Sequence, residues 1–352
     1  MSRAAWTAAV VVVLEAAPAG AWGERGHDIV TQVAVRLAIE RSGGNPALAT
    51  PLLARSGMLG HLSNVPDIVW RAASPEVIEA NGPTHYVALD QLAPAPLSMT
   101  LASLPIPYAT AAAATRTRGH DLATQTGTAP WRVEQLALLL EQAWRRVAAI
   151  EKPTRDSLEE PVNEALLYAG LLSHFIADLA NPDHTGSDFD GWHIKQGGLH
   201  DYFESKLVDA LPLDLAQAVF DAARSRRPIA ALRKKLTAAE RQAVGDDALG
   251  IAFLVSLDSY RRRGDLFGLD LRYAILAPSR TAPARMPATR REPAIAAPKQ
   301  RAFIVSRLAL GADALATIWV DAWTQAGRPD MRNYQSYHYP VAPPFVPVSY
   351  VK

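Results

Sequence analysis

Between His174 and Glu204 the chain reads HFIADLANPDHTGSDFDGWHIKQGGLHDYFE, a stretch holding four of the protein's nine histidines. His174 has Asp178 four residues on, and His200 has Glu204 at the same spacing. Residues four apart share a helix face, so each pair can aim an imidazole nitrogen and a carboxylate oxygen at one ion. His184 stands between the pairs, just after Asn181-Pro182, close enough to Asp178 for the chain to fold back on the same cluster. Zn²⁺ takes this donor set readily. The segment around His174 is otherwise apolar, through Leu171, Leu172, Phe175, Ile176 and Leu179. An ionised Asp178 there is costly unless it is paired or bound to metal. For either pair alone a His–acid hydrogen bond in a helical core is the plain alternative; the repetition, with His184 between, favours a metal. His193 lacks this geometry and reads as a loop residue, and His61, His120 and His338 read as ordinary histidines.

The elements that must position these residues read as helices. Apolar residues recur at helical spacing over 27–41, with Gly43-Gly44 as a stop. A short helix with loops is expected over 45–60, and another short helical piece from Val65 to about Arg71. Gly82-Pro83-Thr84-His85 predicts a turn into a short extended HYVALD. Prolines at 94, 96, 105 and 107 predict irregular chain over 91–110. One or two helical turns follow at 111–117. Good helices are expected over 130–150 and 157–179, the second ended by Asn181-Pro182. A long loop over 183–198 leads to a helix from Leu199, then helices near 213–226, 228–243 and 246–263. Residues 277–299, with five prolines and five Lys or Arg, read as a solvated excursion. A long apolar helix from Phe303 to Trp323 must still find a core, and the tail from Pro329 reads as extended. With no alternating series long enough for a sheet, the class expected is all-α in one multi-helix domain over 22–330, with an extended tail over 331–352.

Composition narrows the options. The 352 residues are 49% hydrophobic and 20% charged with net charge +1, which allows a large core and predicts no polyanion-coating surface. There is no cysteine, so disulfides and thiolate metal sites are excluded and any metal site uses N and O ligands. Arg3, the apolar run Ala4 to Leu14 and Ala19-Gly20-Ala21 fit a signal peptide over 1–21. That run is too short to span a membrane, and no later unbroken apolar run reaches spanning length. Cleavage after Ala21 would make Trp22 the first mature residue, in a protein destined for the periplasm or the medium.

The set Trp22-Gly-x-x-Gly-His27, Asp67, Thr84-His85-Tyr86, His174-Phe-Ile-Ala-Asp178 with His184 six residues on, and His200-x-x-x-Glu204 resembles the zinc-dependent phospholipase C and S1/P1 nuclease superfamily. The resemblance runs from Trp22 to about Leu207. It implies an all-helical exported enzyme with three Zn²⁺ at the bottom of a cleft, the first ligand being an N-terminal Trp freed by signal cleavage. Carried over, one zinc would take Asp67, His85, His174 and Asp178. A second would take the Trp22 backbone, His27 and again Asp178. The third would take His184, His200 and Glu204.

The implied chemistry is phosphodiester hydrolysis by a metal-activated hydroxide, with Asp178 as the bridging carboxylate and Asp67 orienting or deprotonating the water. Arg71, one turn past Asp67, would neutralise a phosphate oxygen or else form a surface salt bridge. Tyr86 would stack a base, pack on a lipid glycerol, or stand at the rim without touching substrate. The expected substrate is single-stranded DNA or RNA, with 3′-nucleotides as a further one, and a monomer is expected. Glu204 matches the phospholipase branch, where the nucleases carry Asp. Ala88 stands where the nucleases carry an acidic base-reading residue, and Asp183 replaces an apolar residue before the loop histidine. The segment between His85 and His174 is longer than the family's, which alters the cleft rim. A phospholipase C acting on phospholipid is the enzyme alternative; it needs exposed apolar surface, and the Phe and Trp residues here read as mostly buried. A non-catalytic, zinc-stabilised envelope binding module is the alternative of another class.

Overall fold

Four of the α-helices among the described residues start on a side-chain cap, at Asn45, Thr154, Thr237 and Asp247. The structure, a computed structural model, describes residues 22–93, 95, 98–281 and 285–334. The expected signal peptide and residues 335–352 of the expected tail lie outside these. In order the helices are α1 (Glu24–Arg41), α2 (Pro46–Ala54), α3 (Ser56–Ile68), α4 (Pro75–Asn81), α5 (Leu89–Leu92), α6 (Tyr108–Arg116), α7 (Ala129–Ala148) and α8 (Arg155–Ala180). Then come α9 (Leu199–Asp201), α10 (Leu207–Asp209), α11 (Leu215–Arg226), α12 (Pro228–Lys235), α13 (Ala238–Val244), α14 (Ala248–Arg261), α15 (Arg263–Leu269) and α16 (Pro293–Gln325). A π-turn, Tyr202–Lys206, joins α9 to α10 in one continuous helical run. Strands β1 (Ile275–Ala277) and β2 (Thr289–Arg290) form one antiparallel ribbon, with Ile275 opposite Arg290.

The site hangs on α8. Thr154 caps it, with Thr154 and Ser157 exchanging side-chain-to-backbone bonds, and Asn181 ends it, its N–H donating to Asp178 O while its side chain accepts from Asp183 N to start the next turn. From Ala169 to Ala180 every residue is buried. Helix α7 packs along α8, and its Val133, Leu136, Leu140, Ala143 and Val147 are all buried, as the spacing predicts. Helices α1, α3 and α16 cover its other sides. Gly170 lets α3 come close: a Cβ there would lie 2.5 Å from Leu62 Cβ. Helix α16 is long and apolar enough to cross a membrane, with a mean hydropathy of 1.6, but 78% of that window is buried inside the fold. It is a core helix.

Three local expectations change. The helix expected over 228–243 is two helices, because Thr237 and Glu240 form a capping box that starts α13 anew. The excursion expected over 277–299 is a docked ribbon followed by the first turns of α16. Pro293 sits at the start of that helix, where a missing N–H costs nothing, so it starts the helix rather than breaking the chain. The ribbon is held: Ser279 N donates to Lys195 O at 2.8 Å and Ala288 N to Gly197 O at 2.7 Å. The tail boundary also moves, since Met331 and Tyr334 are buried and Tyr334 Oη bonds the Asn163 side chain at 2.5 Å.

Candidate metal centre

Helix α8 supplies His174 and Asp178, one turn apart and both fully buried. Helix α1 brings His27 beneath them, its ring stacked on that of His174 with centroids 4.2 Å apart. Helix α3 brings Asp67, and the turn Gly82–His85 brings His85. His27 Nε2 lies 3.5 Å from Asp178 Oδ1, and His85 Nδ1 lies 3.1 Å from Asp178 Oδ2. His174 Nε2 lies 3.3 Å from Asp178 Oδ2 and 3.8 Å from Asp67 Oδ1. The turn after α8 brings His184, and the run from α9 brings His200 and Glu204. Glu204 Oε2 is 2.9 Å from His200 Nε2 and 3.3 Å from His184 Nε2.

These atoms make three buried groups able to hold a metal ion: His27, His174 and Asp178; Asp67, His85 and His174; and His184, His200 and Glu204. His174 lies in reach of the first two, so those groups form one continuous cluster. Trp22 adds no side-chain ligand. Its indole Nε1 donates to Ala177 O at 2.7 Å, beside Asp178, and Gly23 N donates to Glu204 O at 3.3 Å. These bonds hold the Trp22-Gly23 backbone between the two halves of the site.

The tautomers test whether cations fit. His174 Nδ1 must donate to the Ser63 carbonyl, 2.7 Å away. Its Nε2 in the neutral ring is then a bare lone pair, and it faces His85 Nδ1 at 2.9 Å with the Asp178 carboxylate beside it. His184 Nδ1 likewise donates to the His85 carbonyl at 2.7 Å, which leaves its Nε2 facing His200 Nε2 at 2.8 Å. His85 and His200 have no such carbonyl fixing their tautomer and can turn an N–H to a neighbour, whereas a cation meets the His174 and His184 lone pairs and the carboxylates together. Both His27 ring nitrogens, Asp178 Oδ1 and Glu204 Oε1 are buried without a hydrogen-bond partner. Leaving such groups unmet is expensive, and metal ligation with outer nitrogens fixed by carbonyls meets them.

The electrostatics agree. Burial pushes the histidines toward the neutral form a metal needs: His27 to about 3, His85 to about 4 and His200 to about 4. At His174 burial also lowers the pKa, but Asp178 and Asp67 outweigh it and the net shift is upward. Burial would raise Asp178, yet His174, His184 and the hydrogen bonds from His174 and His85 hold it well below the usual range. Burial raises Glu204 to about 8.

A cleft of ≈ 420 Å³ opens in front of the cluster, lined among others by Arg71, Ile78, Tyr86, His184, Phe189 and His200. Arg71 pairs with Asp67 at 2.8 Å and lines the cleft, so its salt bridge is part of the site rather than surface decoration. Tyr86 is held at the rim by a close approach. Gly127 has φ +89°, and a Cβ there would fall 2.2 Å from Tyr86 O. His193 stands apart, its side chain 80% exposed.

Sequence reasoning missed several residues. Asn181, read only as a helix stop, donates to Glu204 Oε2 at 3.0 Å. The carbonyls of Ser63 and His85 carry no sequence signal at all. Asp183 is fully buried and burial raises its pKa well above the usual range, with Arg263 opposing. Phe189, not singled out among Phe and Trp residues read as mostly buried, is 42% exposed at the mouth and packs edge-on to His200 at 5.8 Å. Comparison with protein families, curated proteins and solved structures finds no match to this chain.

Proposed function

We propose that the protein is an exported zinc-dependent phosphodiester hydrolase of the S1/P1 nuclease type, cutting single-stranded DNA or RNA. The observation carrying this reading is the set of tautomer-fixed lone pairs of His174 and His184 facing other histidine nitrogens within 2.9 Å beside buried carboxylates. Zinc suits a centre of imidazole and carboxylate donors in a chain without cysteine. The holders would be the side chains of His27, Asp67, His85, His174 and Asp178, those of His184, His200 and Glu204, and the amino end of Trp22 once residues 1–21 are removed.

Bound there, zinc ions would supply Lewis-acid polarisation of a phosphate and a water of lowered pKa. The chain's own residues do the rest. Burial opposes ionisation of Asp67, but His174, His85 and Arg71 hold its pKa below the usual range, so it stays a carboxylate and can take a proton from an attacking water. Arg71, fixed by Asp67, lines the cleft and brings a guanidinium to where a non-bridging phosphate oxygen would lie. Tyr86 offers a ring at the rim for a splayed base, which favours single strands.

A specific observation supports a second reading. Ile78 (43% exposed) and Phe189 (42% exposed) line the mouth of the same cleft, and Ile68 and Val69 are exposed just before Arg71. Apolar side chains around an opening suit a lipid surface, and Glu204 matches the phospholipase branch. That reading is a zinc-dependent phospholipase C.

Single-stranded DNA, RNA and phosphatidylcholine assayed side by side decide between them. Nucleic-acid cleavage that a chelator abolishes and zinc restores is expected. Lipid cleavage alone would replace the nuclease reading with the phospholipase. Metal binding with no turnover on any of the three would leave a metal-stabilised binding module.

A further inference from the structure

A groove of ≈ 530 Å³ that shares no lining residue with the metal-centre cleft runs between α12, α14 and α16. Its floor is aliphatic: Leu232, Leu269 and Leu310 line it, with Phe303. Arg226, Lys235, Arg262, Lys299 and Arg307 also line it, against one carboxylate, Asp258. That carboxylate is taken, since Arg307 holds it at 2.8 Å, and Arg262 is held by Asp265 at 2.9 Å. Arg226, Lys235 and Lys299 have no ion-pair or hydrogen-bond partner among the described residues. Three unmatched cations around an aliphatic floor cost mutual repulsion and leave apolar surface wet.

We infer that this groove binds a single-chain anionic amphiphile, its alkyl chain along the leucine floor and its head group among Arg226, Lys235 and Lys299. An anion there removes the repulsion, and the chain covers the floor. A nucleic-acid strand fits less well. Sequence-tolerant strand binding uses exposed aromatic faces. Phe303, the one aromatic in the groove, already packs against Phe203 and against the Arg307 guanidinium, each at 5.9 Å. The chemistry is shared by a free fatty acid and a lysophospholipid-like phosphate monoester.

The test measures binding of octanoate, decanoate, dodecanoate, dodecyl phosphate, dodecanol, inorganic phosphate and a short oligothymidylate to the full metal-loaded protein by calorimetry. Dodecanoate is expected to bind, with affinity rising up to about fourfold for each added methylene. Dodecyl phosphate should bind comparably if the head-group site accepts any anion; preference for one of the two identifies the source. Dodecanol, and inorganic phosphate measured by displacement of dodecanoate so that binding at the metal centre is left out, should bind the groove at least tenfold more weakly. The combined variant Arg226→Gln, Lys235→Gln, Lys299→Gln changes exposed residues only and should lose at least tenfold for dodecanoate while keeping its metal content and hydrolysis. Ala302→Glu, which places a carboxylate at an exposed position in the groove, should do the same. The inference is overturned if dodecanoate does not bind, if both variants bind it unchanged, or if oligothymidylate or inorganic phosphate displaces it from the groove at as low a concentration. It does not depend on the hydrolase reading, because metal content and turnover are read separately.

Discussion

Glu204 has no contact with solvent, and burial lifts its carboxyl to about 8 from an ordinary 4.5. In metal-free protein at about pH 7 it therefore holds a proton that metal must displace. Calorimetric titration with zinc in buffers of different ionisation enthalpy should show about one proton released from this residue, and none above about pH 9; equal release at both would show that Glu204 is not a ligand. The stability sign follows from the same shift. The folded chain keeps this proton up to about 8 while the unfolded chain loses it near 4.5, so the contribution of Glu204 falls as pH rises between those values. Glu204→Gln should raise the melting temperature of chelated protein at about pH 8 by a few degrees, yet weaken metal binding. His174→Ala should cost more metal and more activity than His200→Ala, about 100-fold or beyond in turnover, because His174 serves two of the three groups. The ligand side chains were legible in the sequence because a four-residue spacing writes a helix face directly. The role of Asn181 was not, because its partner Glu204 comes from the far side of a loop, and the burial of Asp183, whose carboxylate oxygens find no hydrogen-bond partner, has no signal in spacing.

At the level of elements, α3 and α8, the helices that carry Asp67 and His174, approach each other closely at Gly170. Gly170→Ala puts a Cβ 2.5 Å from Leu62 Cβ. It should destabilise by about 1–3 kcal/mol, read by chemical denaturation, with a loss of affinity at the Asp67, His85 and His174 group and little change at the third. The ribbon makes a second case. Arg290 pairs with fully buried Asp270 at 2.9 Å and donates to the carbonyls of Gly197 at 2.8 Å and Gln196 at 2.5 Å, just before α9 delivers His200. Arg290→Ala strands a buried carboxylate and should cost about 3–5 kcal/mol, loosening metal at the His184, His200 and Glu204 group first. The helix end at Asn181-Pro182 was readable from its proline, whereas the Thr154 cap was not read and α8 begins at Arg155, ahead of the expected 157. The docking of the ribbon was not readable: Asp270 and Arg290 are separated in sequence and show no periodicity, and Arg290 sits among prolines that locally resemble a solvated loop.

For the whole molecule, an all-helical fold was legible from periodicity, and the burial of α16 follows from an apolar helix with nowhere else to go. What composition and spacing alone could not show is the meeting of α1, α3, α8, the turn at His85 and the run from α9 on one cleft; the resemblance supplied that expectation. Trp22 lies between the halves of this site, its indole tied to Ala177 and its neighbour Gly23 to Glu204. Adding a methionine before Trp22 should therefore lose one metal equivalent and most activity, whereas full activity in that form would remove Trp22 from the ligand set. The most direct test of the central claim is elemental analysis of protein beginning at Trp22. The account predicts three zinc ions per chain, one for each of the three groups; one ion or none would contradict it.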